Sequence, residues 1–152
     1  MTIEINQKCP ESYFDIDKAT KENGFTMPSD FSTCSLLRTL AASKPSSKFL
    51  ELGTGTGLST SWILDGMDNN STLISIDNDA TLLAIAQQFL GHDTRLSCVL
   101  TDGEDWVKNN ISQKFDYIFA DKKMIVKSFK NFSKLNYSDH YPIITRLAFK
   151  DN

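Results

Sequence analysis

The sequence predicts an α/β domain: a parallel sheet of about five strands with helices on both faces. Two observations predict it. Short apolar runs at 49–52, 72–76, 96–100 and 115–119 alternate with longer stretches of helical spacing. Glycines or carboxylates (Gly53, Asp77, Asp102, Asp121) stand at or just beyond the ends of those runs. That is where open α/β sheets present ligand-binding groups. At 152 residues the chain has the length of one domain.

Residues 1–28 read as a mixed, polar lead-in. A short helix is expected over 11–21, with Tyr13, Phe14 and Ile16 on one side, and Gly24 and Pro28 punctuate it. Ser29 or Asp30 can cap a helix over 31–43 that carries an apolar stripe of Leu36, Leu37, Leu40 and Ala41. Lys44-Pro45-Ser46-Ser47 is a turn. Phe49, Leu50 and Leu52 then read as a buried strand, running into Gly53-Thr54-Gly55-Thr56-Gly57. Alternate glycines tolerate unusual φ/ψ and let a ligand approach the main chain. A helix begins at Leu58, with Trp62 and Ile63 in helical spacing, so unpaired backbone N–H groups are expected to face a ligand here. The dinucleotide pattern G-x-G-x-x-G fails, because Leu58 occupies its third glycine position.

The turn formers of 65–71 end that helix. Residues 72–76 are the second strand, with Asp77 at its end, 20 residues beyond Gly57. An acidic residue there can accept both hydroxyls of a ribose. Asn78 follows, and Asp79 caps a helix over 80–90 built on Leu82, Leu83, Ile85, Ala86 and Phe89. His92 lies in a turn and is expected to be solvent-exposed with no role. Residues 96–100 form the third strand, and Asp102 can cap a helix over 103–110. Phe115, Tyr117, Ile118 and Phe119 form a fourth strand ending in Asp121.

Glu51-Leu52-Gly53-Thr54-Gly55-Thr56-Gly57 resembles the first motif of class I S-adenosylmethionine (SAM) dependent methyltransferases. Asp77, the Thr101-to-Trp106 stretch and the strand ending in Asp121 match that family in order. The likeness is to its O-methyltransferases of the catechol and caffeoyl-CoA type. It implies a Rossmann-like fold, a methyl acceptor that is a small molecule, and transfer to a hydroxyl oxygen by SN2 displacement. It implies that Gly53, Thr54, Gly55 and Gly57 lie beside the methionine part of SAM and that Asp77, with Asn78, meets the ribose. Asp102 and Gly103 would recognise the adenine. Glu51 would serve the cationic methionine end. The alternative for Glu51 is a structural carboxylate bonded to loop N–H groups, and both roles can hold. Asp102 has the alternative of a plain helix cap. Met27 and Ser29 would lie near the cofactor, or else belong to a surface lead-in.

By the same resemblance, Asp121 is one ligand of a Mg²⁺ or Ca²⁺ ion, and it is the one candidate for a catalytic base. Hard cations need several oxygens. The family's further Asp and Asn ligands have no counterpart here beyond the letters Asp151-Asn152. The family's sheet has seven strands in the order 3-2-1-4-5-7-6, and the likeness covers roughly 25–121, so the fold is expected to be incomplete, as if truncated after the fourth strand. The chain therefore divides into a lead-in (1–28), a SAM-binding core (29–121) and an atypical tail (122–152). In the tail a helix over 123–131 and a strand over 142–149 are expected to cover the open sheet edge. Ser138-Asp139-His140-Tyr141-Pro142 is similar to the closing motif of the endonuclease/exonuclease/phosphatase family, whose layered fold this chain has no room for.

The net charge of −3 and a pI near 5.3 give no electrostatic case for nucleic acid. No apolar run is long enough for a membrane span, and the N-terminus lacks an apolar signal core. Cys9, Cys34 and Cys98 are widely spaced, as in reduced thiols of a cytoplasmic protein. An incomplete sheet leaves an edge that can pair with a partner, a homodimer included.

Overall fold

The structure is a computed structural model that describes residues 8–110 and 112–120 in full, and the backbone of two further strands over 124–131 and 143–149. Two helices come first, α1 (Tyr13–Asn23) and α2 (Phe31–Ala42). Four parallel strands follow: β1 (Lys48–Leu52), β2 (Thr72–Asp77), β3 (Leu96–Leu100) and β4 (Tyr117–Ala120). They are joined by α3 (Leu58–Gly66), α4 (Ala80–Leu90) and α5 (Gly103–Asn109). The sheet order is β3-β2-β1-β4. The chain walks outward from β1 to β3 and then jumps back across β1 to β4. The topological switch point, where such sheets bind ligands beyond their strand C-termini, therefore lies between β1 and β4.

β1 is the central strand, paired with β2 and β4 in full register, and four of its five residues are buried. That is why it reads as an almost unbroken apolar run. Side chains in one register row share a face of the sheet. The Phe49 face packs under α1, α2 and α3, with Ile16, Ala41, Ile63, Leu64, Leu73 and Phe119 in one core. Leu50, Leu52 and Ile76 point to the other face, where Trp106 and Val107 of α5 cover them. Helices thus lie on both faces, as expected, but unequally. Ile118, on the α5 face of the edge strand β4, is 39% exposed.

Caps set the element ends. Asp30 accepts from the Thr33 N–H at 2.9 Å and starts α2, so the cap is Asp30 and not Ser29. Asp79 accepts from the N–H groups of Thr81 and Leu82 and starts α4. Gly24 ends α1 at φ +79°, and the Phe25 N–H returns to the Thr20 carbonyl. Asp116 pins β4 to β1 in both directions: its N–H donates to the Lys48 carbonyl, and its carboxylate accepts from the Lys48 N–H. At the same N-terminal end of the strands, on the β3 side, the Arg95 guanidinium clasps Asp93 through two nitrogens and donates to the Met67 carbonyl. That guanidinium holds the Asp93 carboxyl below its usual range.

Two expectations are corrected. Phe14 points outward from α1 and is exposed, while Tyr13 and Ile16 face the core. The described part of the expected 123–131 helix is not helical. Met124–Asn131 is a strand, β5, and Ile143–Phe149 is a second, β6; the two pair antiparallel in a sheet of their own. The parallel sheet accordingly has four described strands and no fifth strand from the tail. The local sequence explains it: the antiparallel register pairs Ile125 with Ala148, Val126 with Leu147 and Phe129 with Thr145, in segments rich in β-branched residues, which favour strands. The Ser138-to-Pro142 motif lies outside the described residues.

Gly57 shows how tightly the loop packs. Its φ is +93°, and a Cβ placed there would lie 3.0 Å from the Ala86 Cβ and 3.1 Å from Leu90 Cδ1. Gly24 is also left-handed but opens on empty space. Gly57→Ala is therefore expected to cost about 2–4 kcal/mol, combining backbone strain with overpacking, against about 1 kcal/mol for Gly24→Ala. Urea denaturation of the two variants checks the ranking, and equal losses would show that α4 yields freely.

Candidate functional site

The glycine loop leaves β1 at its C-terminal end. Gly53, Gly55 and Gly57 take φ values of +103°, +54° and +93°, a left-handed sequence that side-chain-bearing residues rarely adopt. The loop N–H groups are largely engaged within the protein, contrary to the expectation that they stand free. Gly53 and Thr54 donate to the Ile76 carbonyl at 2.8 and 3.1 Å, and Gly57 donates to the Thr54 carbonyl at 3.0 Å. Gly55 donates to Asp77 Oδ2 at 2.7 Å. α3 begins at Leu58 without a side-chain cap, so its first-turn N–H groups are the donors at this loop suited to a ligand.

Asp77 ends β2, half-buried. Its second oxygen accepts from the Asp79 N–H at 2.9 Å. The Asp77 carbonyl accepts from the Thr101 N–H, which draws the end of β3 alongside the end of β2. Asp102 follows directly. It is exposed and caps α5, accepting from the Glu104 and Asp105 N–H groups at 2.8 and 3.1 Å, with Gly103 as the first helical residue. Asn78 is exposed beside Asp77. The strand ends thus gather Gly53, Thr54, Gly55, Gly57, Asp77, Asn78, Asp102 and Gly103 on one rim of the sheet. Met27 and Ser29 are both exposed. Asp121 lies outside the described residues.

Glu51 sits beneath that rim and does not open onto it. It is 3% exposed. Its carboxyl accepts from Ser59 Oγ and Thr60 Oγ1 of α3 and from Ser75 Oγ of β2, each at 2.6 Å. The structural partners are therefore side-chain hydroxyls, where loop N–H groups were expected. Ser75 spends its one proton on Glu51, so Thr54 must be the donor in the 2.6 Å Thr54–Ser75 hydrogen bond. A continuous chain of hydroxyls then runs from the loop to the carboxyl. Exclusion of water pushes the Glu51 pKa up, and the three hydroxyls offset this only in part. Ser59, Thr60 and Ser75 were missed in the sequence, although three consecutive hydroxyl residues at 59–61 directly after the loop are a visible signal.

Two further sequence readings can be placed. His92 is exposed in its turn. Cys34 is buried, and burial pushes its thiol up to about 12, so it is a packing residue and no nucleophile. Among the described residues, no group of three or more His, Cys, Asp or Glu side chains is placed to hold a metal ion. The expected Mg²⁺ or Ca²⁺ ligand, Asp121, lies outside the described residues.

A carboxyl whose folded pKa exceeds its unfolded value of 4.5 favours the folded state while protonated. That contribution is complete below the unfolded value and is lost as pH climbs through the raised one. The stability advantage of the wild type over Glu51→Gln is therefore expected to shrink from acid to neutral pH. Denaturation curves at several pH values measure it, and an advantage that grows toward neutrality would mean that the ionised form is the one the fold prefers.

Known proteins share this fold. A family model described as a methyltransferase domain matches residues 50–132. No curated protein matches the sequence. Among solved structures, the O-methyltransferase from Bacillus cereus in complex with S-adenosylhomocysteine (SAH) superposes with a TM-score of 0.69 at 16% identity, over 79% of this chain and 58% of that one. The O-methyltransferase TomG from Streptomyces achromogenes in complex with SAM gives 0.67 at 20% identity, over 76% and 55%. The SAH-bound methyltransferase PaMTH1 from Podospora anserina gives 0.63 at 20% identity, over 75% and 51%. These likenesses establish a shared Rossmann-like fold, and this chain spans only 51–58% of the length of those proteins. Nothing in them supports a relation of the tail to the endonuclease/exonuclease/phosphatase family. Because the family match takes in more than half of the 152 residues and runs from within β1 through the glycine loop and β4 to the end of β5, the chain belongs to the methyltransferase domain family.

Proposed function

We propose that this chain binds SAM and takes part in methyl transfer to a hydroxyl oxygen of a small molecule. The observation that carries the reading is the left-handed glycine loop with Asp77 bonded to its centre, set at the strand ends of a methyltransferase-family sheet. SAM would supply an electrophilic methyl on a good leaving group, open to SN2 displacement. The chain's own contribution is alignment, which is proximity catalysis. Asp77, aided by Asn78, holds the ribose hydroxyls. Asp102 and Gly103 meet the adenine edge. Gly53, Thr54, Gly55 and Gly57 keep the main chain low beneath the methionine part. Glu51 serves that end indirectly, through Ser75 and Thr54. Asp121 is the base that would take the acceptor's proton, and a metal ligand only if donors beyond the described residues join it.

A second reading is a SAM-binding protein without transferase activity. The other elements of the reading are a cytoplasmic protein, partners other than nucleic acid or membrane, and a homodimer formed along the β4 edge, which has no neighbouring strand among the described residues. No helix among the described residues is long and apolar enough to cross a membrane.

Calorimetric titration with SAM and with SAH is expected to give micromolar binding of both, and no binding by folded protein would remove the cofactor assignment. Asp77→Ala is expected to weaken SAM binding by about 10- to 100-fold through loss of charge-assisted hydrogen bonds. Unchanged affinity in a folded variant would take the ribose away from Asp77. Methyl transfer to a panel of phenolic acceptors should fall on adding chelator if Asp121 ligates a metal, and indifference to chelator leaves it at most a base.

A further inference from the structure

The helix α1 lies well before the glycine loop in sequence, yet it holds that loop directly. Thr20 is 2% exposed and Thr56 is 1% exposed, and their hydroxyl oxygens are 2.7 Å apart. Thr20 Oγ1 donates its single proton to the Ile16 carbonyl at 2.6 Å, so Thr56 is the donor between them. The Thr20 carbonyl is also engaged: it accepts from the Phe25 N–H at 3.3 Å and so closes the end of α1. That closure brings the Phe25 ring onto the loop, with Cε1 only 3.3 Å from where a Cβ on Gly55 would stand. One residue thus anchors the loop twice, through its side chain at Thr56 and through the turn that seats Phe25 on Gly55.

We infer that Thr20 is a positioning residue for the cofactor loop, acting through Thr56 and Phe25 without touching a ligand. The geometry stands by itself; its consequence for SAM rests on the cofactor reading given above. Both loop threonines are then held from below, Thr54 by the Ser75–Glu51 chain and Thr56 by α1. Between them, Gly55 is kept in its left-handed conformation, with its N–H aimed at Asp77.

The test is Thr20→Val, which keeps the shape and removes the acceptor, alongside Thr20→Ser, which restores it. Thr39→Val is the control, because Thr39 makes the same bond to the carbonyl four residues back without reaching the loop. Amide hydrogen exchange of Gly55 and Gly57 is measured in ligand-free protein and corrected for global stability by denaturant unfolding. In Thr20→Val those two amides are expected to exchange about tenfold faster, because a buried hydroxyl loses its acceptor. The β1 amides, Thr20→Ser and Thr39→Val should all follow the wild type. SAM affinity is expected to fall by about the same factor and to recover in Thr20→Ser. Loop amides that do not respond, or that respond no more than β1, overturn the proposal. If the loop amides respond but the wild type binds no SAM, the cofactor reading fails and the positioning role stands. If the wild type binds SAM with equal affinity in Thr20→Val, the loop does not depend on α1 for its function, and the proposal fails alone.

Discussion

A carboxyl sealed between a sheet and a helix must find its partners inside the protein, because burial without them costs several kcal/mol. Glu51 finds them in hydroxyls from two elements, Ser59 and Thr60 on α3 and Ser75 on β2. Those bonds fix where the first turn of α3 sits relative to β1, and so fix both ends of the intervening loop. Through Ser75 the same network reaches Thr54. Between those anchored ends the loop runs with its three glycines in left-handed conformations. Asp77 completes it by catching Gly55, and the spacing of Asp77 from the loop is set by the register that pairs Leu52 with Ile76.

Much of this architecture is legible in the amino-acid order because it obeys short-range rules. α4 and its Asp79 cap and the β3 strand fall where apolar spacing and turn chemistry put them, while the turn expected over 65–71 begins only at Met67, because α3 runs on through Asp65 and Gly66. The site is half legible. The glycines and Asp77 announce themselves through a motif, whereas the partners of Glu51 depend on which side chains the parallel register places in one row. Glu51 aligns with Ser75 only once β1 and β2 are paired. Thr20 is less visible still, being separated from Thr56 by 36 positions and belonging to no pattern.

The tail shows the opposite failure. The expectation there is a helix over 123–131. The segment holds adjacent β-branched residues and has a matching segment at 143–149, and it pairs with that segment as a hairpin. Tertiary pairing overrides a weak local preference wherever the alternative partner exists. Among the described residues the fourth parallel strand has no neighbour on its outer side.

The self-bonded state of the loop has a kinetic meaning. Its amides at Gly53, Thr54, Gly55 and Gly57 and its hydroxyls at Thr54 and Thr56 already have partners before any ligand arrives. The conformational entropy of three glycines is therefore surrendered during folding, and docking draws little further on it. A cradle of that kind neither has to assemble around an incoming molecule nor come apart to free a spent one. Entry and exit of the nucleoside would then run at rates set by the molecule's own contacts, with no slow loop rearrangement between one occupant and the next.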